Sequence, residues 1–234
     1  MLTHTIASGD HYVRPAVAGR SAMPAASSYS SGGDLGGSIE LMGAPMAFAR
    51  NAEIYGEGEA ADYLYKVISG TVRTYKVLND GRRQIGAFYL VGDVFGLEMG
   101  EEHTFSAEAI ADSKVLVIKR SAVVRLAARD HEVARQLWAL TSRELRGAQD
   151  HIMLLVKTAQ ERVASFLLEM AKRMPAGNMI ELPMSRQDIA DYLGLTIETV
   201  SRTLTNLENA AAIELPSSRR IVLRNRTALG RLNG

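Results

Sequence analysis

Hydrophobic positions along this chain change their period as the chain proceeds. From about Leu41 to Ile118 they alternate with polar ones in short runs separated by Gly, Asp and Asn. Tyr63 to Ile68, Thr71 to Val77, Arg83 to Tyr89 and Val115 to Lys119 read as strands, because side chains on a strand alternate between its two faces. Ile68-Ser69-Gly70 and Asn79-Asp80-Gly81 supply turns between them. Short strands at this spacing predict a small antiparallel barrel or double-stranded roll. After Ser121 the period lengthens to that of a helix. Ser121 to Arg129 fits a short one, and Asp130 opens a longer one reaching about Val156. Within it Trp138, Leu145 and Ile152 recur every seven residues, with Thr141, Ala148 and Leu155 interleaved at plus three. That is an a/d heptad, the seam of a helix pairing with a second copy. A helix packed only on its own roll is the alternative. Ala148 would let two helices approach closely, and Thr141 weakens the seam.

The last third has shorter helices. Val163, Phe166, Leu167 and Met170 give Thr158 to Arg173 one apolar face. Pro175-Ala176-Gly177-Asn178 breaks it, and Met179 to Leu182 reads as a strand. Ser185 to Glu208, SRQDIADYLGLTIETVSRTLTNLE, reads as two helices joined by a tight turn. Ser185 stands at an N-cap with Asp188 as a capping-box partner. Gly194 can take the left-handed conformation that ends the first helix, and Thr196 can cap the second. Val200, Leu204 and Leu207 point inward. Glu198, Ser201, Arg202 and Thr205 fall on the opposite face.

That polar stripe is suited to reading base edges. Arg can donate two hydrogen bonds to guanine, a carboxylate can accept from cytosine N4, and a hydroxyl can bond several bases. An ordinary helical hairpin with a solvated polar face has the same spacing. The neighbourhood distinguishes them: Ile213 to Leu215 and Ile221 to Leu223 read as strands around a polar tip, Pro216 to Arg220, placed to reach phosphate as a wing.

ETVSRTL within this frame resembles the DNA-binding domain of the CRP/FNR superfamily of bacterial transcription regulators. Glu198, Ser201 and Arg202 match the E-x-x-S-R motif of its FNR branch; the cAMP receptor branch has Gly where this chain has Ser201 and Arg where it has Ile197. The resemblance runs from about Leu41 onward. It implies an α+β chain with a cyclic-nucleotide-binding-like β-roll over 41–120, a dimerisation helix region over 121–157 and a winged helix-turn-helix over 158–234. It also implies a homodimer on an inverted repeat of the TTG-N8-CAA kind. Arg202 would contact the G, Glu198 the opposing C and Ser201 a T, while Arg186, Thr196, Thr199, Arg219 and Arg220 would contact phosphate. Trp138, Thr141, Leu145, Ala148, Ile152 and Leu155 would form the dimer interface, with RNA polymerase a further partner.

Composition sharpens this in three places. Formal net charge is only +1, yet the excess sits late, at Arg219, Arg220, Arg224, Arg226 and Arg231, where it suits phosphate, although a solvated basic tail would look the same. Cysteine is absent, which removes disulfides, thiolate zinc sites and the cysteine-held cluster of the FNR proper. No apolar run approaches the roughly 20 residues of a membrane span, and no secretory signal opens the chain; a soluble cytoplasmic protein follows. Met1 to about Ser38 is rich in Ser, Ala and Gly, so residues 1–40 read as a disordered or loosely attached extension.

The roll departs from the cAMP-binding pattern. Where cAMP binders carry Gly-Glu-Leu and later Arg-Ser-Ala, this chain has Gly96-Leu97-Glu98 and Phe105-Ser106-Ala107. An aromatic at the phosphate-binding position cannot neutralise an anion, so no cyclic nucleotide is expected. His4, His11, His131 and His151 show no ligand spacing, so no metal is expected, nor any other cofactor. With neither that cassette nor the cysteines, the chain resembles the FixK-type group, which activates genes of low-oxygen respiration, denitrification or nitrogen fixation. The alternative is a ligand-gated or heme-gated sensor of the same fold, with Leu97, Met99 and Phe105 shaping an apolar pocket and His103 the nearby heme ligand. An enzyme on a cupin-like barrel lacks the His and carboxylate cluster it would need.

Overall fold

The computed structural model describes residues 36–98, 100–174 and 177–232. The extension expected before residue 36, Met99 and the first two residues of the Pro175 break lie outside the described residues. The fold is α+β, as expected. Its roll holds β1 (Ala44–Phe48), β2 (Glu53–Tyr55), β3 (Tyr63–Ser69), β4 (Val72–Val77), β5 (Arg83–Tyr89), β6 (Val94–Phe95), β7 (Ser106–Ala109) and β8 (Ser113–Lys119). They form two antiparallel sheets, in the orders β1-β8-β3-β6 and β2-β7-β4-β5. β3, β4, β5 and β8 lie where the alternation puts them. β1, β2, β6 and β7 do not show in the pattern. β2 and β6 are too short to alternate, and β1 carries Pro45, tolerated because β1 is an edge strand paired only with β8. Across β4 and β5, Thr74 pairs Ala87 and Tyr75 pairs Ile85, so Gly86 is an extra, bulged residue. The bulge places Ile85 and Phe88 on one buried side.

A short helix, α1 (Gly36–Glu40), precedes the roll. Ile39 is fully buried with Leu64, Ile118, Val123, Val133 and Leu140, and Glu40 pairs with Lys66. Residues 36–40 therefore belong to the roll and not to a loose extension. Ile39 follows a Gly/Ser-rich run and precedes Leu41 and Met42, which are exposed, so no periodic set of apolar positions reveals it. α2 (Arg120–Ala127) leads to α3 (His131–Leu155), whose N-cap Asp130 accepts from the Glu132 and Val133 amides. At 25 residues α3 spans about 37 Å.

The last third contains α4 (Ala159–Arg173), β9 (Met179–Glu181), α5 (Arg186–Leu193), α6 (Ile197–Asn209), β10 (Ile213–Glu214), β11 (Arg220–Leu223) and α7 (Arg226–Leu232). A capping box between Thr158 and Glu161 starts α4. β9 joins the wing in the order β10-β11-β9. Val163, Phe166, Leu167, Met170, Ile189, Leu193, Val200, Leu204, Leu207, Ile221 and Leu229 form its core. Ile85, Phe88 and Ile110 of the roll belong to that same cluster. The covalent link between roll and helix-turn-helix is narrow, but their apolar packing is continuous.

Candidate nucleic-acid interface

The reading element is built from its caps outward. The Ser185 hydroxyl accepts from the Asp188 amide at 3.1 Å, and Asp188 accepts from the Ser185 amide at 2.9 Å. Gly194 ends α5 at φ 60°, ψ 40°, a left-handed geometry that a side chain rarely adopts. The Thr196 hydroxyl then accepts from the Thr199 amide at 3.2 Å and starts α6. With Val200, Thr203, Leu204 and Leu207 buried, Glu198, Arg202 and Thr205 are exposed and Ser201 half-buried on the outer face. The structure thus brings the three expected base readers together. Glu198's own backbone amide, then the Thr196 hydroxyl, hold its carboxyl below the usual carboxylate range, so it presents acceptors only.

The expected phosphate contacts are more varied. Thr196 and Thr199 sit at the start of α6, and Arg219 and Arg220 are exposed on the wing. Arg220 faces Glu181 at 3.4 Å. Arg186, at the start of α5, is only half-exposed and donates from Nη1 to the Ser201 hydroxyl at 3.3 Å. Arg224 pairs with Glu214, and Arg226 donates to the Gly177 carbonyl at 2.7 Å.

Behind α5 lies a seam that sequence reasoning missed. Arg73 of β4 pairs with Asp188 and, at 3.0 Å, with Glu108. Arg83 of β5 donates to Asp188 and to Asp191, each at 2.8 Å. Arg173 of α4 donates to Asp93 at 2.5 Å and to the Phe88 carbonyl at 2.7 Å. His151 of α3 stacks on Tyr192, with its ring nitrogens 3.2 Å from the Gly86 carbonyl and 2.8 Å from that of Tyr192. The bulge frees the Gly86 carbonyl for this contact. Carbonyl oxygens only accept, so a neutral imidazole serves one of them and an imidazolium both. Asp188 is therefore more than a capping partner. No local pattern shows this, because Arg73 and Asp188 are 115 residues apart.

The roll has a cavity of about 160 Å³ lined by Tyr55, Thr74, Tyr89, Gly96, Leu97, Glu98, Phe105 and Glu144. Two carboxylates and no cationic side chain line it, the reverse of what a phosphate needs. It is also smaller than the roughly 300 Å³ at which small-molecule pockets begin. Phe105 packs over the bulge: a Cβ at Gly86 would lie 3.1 Å from its ring. His103 does not line the cavity. It is buried, stacked on Tyr55 at a centroid distance of 3.5 Å, with Nδ1 3.4 Å from Glu98. No group of His, Cys, Asp and Glu suited to a metal occurs among the described residues, and no described helix is long and apolar enough to cross a membrane.

On α3, Val133, Leu140 and Leu154 are buried against the molecule, while the expected seam faces out. Trp138 is 76% exposed, Leu145 60% and Ile152 63%, and Thr141 and Ala148 lie with them. Leu155 is half-buried, next to Gly194 of the helix-turn-helix turn. Met153 and Val156, also exposed, widen the stripe at its C-terminal end.

Comparison with known proteins agrees with this architecture. A cyclic nucleotide-binding domain model matches residues 45–130, and a Crp-like helix-turn-helix domain model matches residues 161–232. The nitrogen fixation regulation protein FixK of Azorhizobium caulinodans is 54% identical over 201 residues, covering 83% of this chain and 81% of that one. A transcriptional activatory protein of Rhodopseudomonas palustris, AadR, is 39% identical over 75% of each chain. The structure of FixK2 from Bradyrhizobium japonicum superposes with a TM-score of 0.80 at 54% identity, over 82% of this chain and 98% of that one. The chain belongs to the CRP/FNR family of transcription regulators, in its FixK-type group, and its helix-turn-helix is a DNA-binding domain.

Proposed function

We propose that the protein is a homodimeric transcription activator that reads a TTG-N8-CAA-like inverted repeat and controls genes of low-oxygen respiration, denitrification or nitrogen fixation. The observation that carries this reading is α6: its inner face is locked by Val200, Leu204 and Leu207, leaving Glu198, Ser201 and Arg202 as one outward stripe. Arg202 donates to the guanine, Glu198 accepts from the opposing cytosine, and Ser201 meets a thymine. Thr196, Thr199, Arg219 and Arg220 contact phosphate and set the register without reading sequence.

A two-fold site needs a two-fold protein. The uncovered Trp138, Leu145 and Ile152 on α3 support a helix-to-helix dimer, which would hold the two recognition helices about 34–36 Å apart, one turn of DNA. The FixK name of the relatives supports the gene class, and activation implies contact with RNA polymerase in the cytoplasm. The small, acid-lined cavity of the roll supports a regulator whose DNA-binding form does not wait for a cyclic nucleotide.

Fluorescence anisotropy of the ligand-free protein on the palindrome, and on the same duplex with G and C exchanged at one fixed salt concentration, tests the reading. Nanomolar binding with strong preference for the intact palindrome is expected. Weak binding indifferent to sequence would overturn it.

A further inference from the structure

Ser201 is the one expected base reader that is half-buried. Its hydroxyl oxygen accepts from Arg186 Nη1 at 3.3 Å, across the turn that separates α5 from α6. A guanidinium has donors only, so the direction of this bond is fixed: the oxygen accepts, and the hydroxyl proton must point elsewhere. Among the described residues Ser201 has no second side-chain partner to take that proton. Arg186 is held in place. It is the first residue of α5, inside the Ser185–Asp188 capping box, and its Nε is buried with no hydrogen-bond partner among the described residues. A side chain serving only as a flexible phosphate arm would not bury a donor in this way.

We infer that Arg186 is a specificity-determining positioning residue, which takes one lone pair of the ambivalent Ser201 hydroxyl and biases it toward donating into the major groove. The inference rests on the base-reading role proposed for α6. A free serine hydroxyl both donates and accepts, and so tolerates several bases. With one lone pair taken by a cation, it favours an edge that offers an acceptor: thymine O4, adenine N7, or guanine N7 and O6. The cytosine N4 amino group can reach only the remaining lone pair, beside a guanidinium that already donates to the same oxygen, and is the poorer partner.

The probe is 5-methylcytosine. Paired with guanine, it keeps the methyl group of thymine and exchanges the O4 acceptor for an N4 donor; the opposing purine changes as well, so the Ser201 hydrogen bond is isolated as the difference between wild type and Ser201→Ala on the same two duplexes. Each thymine of the TTG half-site is replaced in turn, and affinities are measured for wild type, Arg186→Met, Arg186→Lys, Ser201→Ala and the Arg186→Met/Ser201→Ala double variant. At one thymine, wild type is expected to prefer thymine over 5-methylcytosine by about 2- to 10-fold, the range of one hydrogen bond. Arg186→Met and Ser201→Ala should each remove that preference, the double variant should remove no more than either, and Arg186→Lys should restore part of it. Discrimination at the guanine read by Arg202 should survive in all of them, which also shows that the domain is folded.

If Arg186→Met weakened binding to both duplexes by the same factor, with a salt slope lower by about one, Arg186 would be a phosphate contact alone and the inference would fall. Discrimination lost at Arg202's guanine as well would mark a collapsed α6 in Arg186→Met; Arg186→Lys then decides, and full wild-type thymine discrimination in a variant without the planar fork would also overturn it. If wild type discriminated at no position, the base-reading role itself would fail and take this inference with it.

Discussion

The two sides of α5 are built differently. Toward the roll, Asp188 and Asp191 are saturated: Arg73 and Arg83 reach them from two strands, and the serine cap takes what remains. Toward the reading face, Arg202 makes no ion pair or hydrogen bond among the described residues, and Glu198 turns back only to its own helix start. The difference separates two tasks. Charges that satisfy one another inside a protein fix a geometry and have little left for a ligand. Charges left in water keep their donors and acceptors for the groove. On the base-reading role proposed for α6, the seam sets where the recognition helix points, and the exposed stripe sets what it recognises.

Breaking each side should have a different signature. The largest effect is expected at the seam. Asp188→Ala leaves Arg73, which is 9% exposed, with Glu108 alone and removes the carboxylate half of the α5 capping box; unfolding in denaturant should lose about 3–5 kcal/mol. A loss under 0.5 kcal/mol would mean that the seam is ornamental. On the groove side, Arg202→Ala should leave that stability within about 0.5 kcal/mol while costing about 1–3 kcal/mol of preference at a single guanine. Between the two lies the dimer. Leu145→Asp and Ile152→Asp each place a charge in the exposed α3 stripe and should raise the dimer dissociation constant about 30-fold or more in sedimentation equilibrium; an unchanged mass would place the dimer contact elsewhere.

The smallest effect sharpens the groove side. Glu198's carboxyl is held down by its own amide and by Thr196. A depressed acid contributes stability above its unfolded pKa, and that contribution is lost as pH falls through the folded value. Carbon-detected NMR titration of Glu198 should give a midpoint below the roughly 4.3 of a free glutamate. A midpoint at or above it would remove the capping contact and the argument that Glu198 meets cytosine as a pure acceptor.

What the sequence reveals follows the same division. The helix-turn-helix is legible because its signals are local: Ser185, Gly194 and Thr196 act within a few residues of themselves, and Val200, Leu204 and Leu207 repeat at helical spacing. So is the α3 stripe, where one period runs over three repeats. The seam is not legible. Arg73 sits in a strand as any surface arginine would, and only folding brings it to Asp188. The bulge at Gly86 is hidden for a related reason, since one extra residue in a strand looks like ordinary alternation until its partner is known. Ile39 escapes because its neighbours in sequence carry no pattern, although its neighbours in space form a core.

The most direct test of this division is a base-substitution scan across one half-site, with wild type, Arg202→Ala and Asp188→Ala measured at the same salt concentration, and at a temperature where each is folded. Wild type should show position-specific losses within the TTG triplet. Arg202→Ala should flatten the profile at the guanine alone. Asp188→Ala should keep the shape of the wild-type profile while lowering affinity at every sequence, because it misdirects the helix without altering what the helix reads. A profile from Asp188→Ala flattened at single bases, or from Arg202→Ala lowered uniformly, would contradict the separation of the two faces.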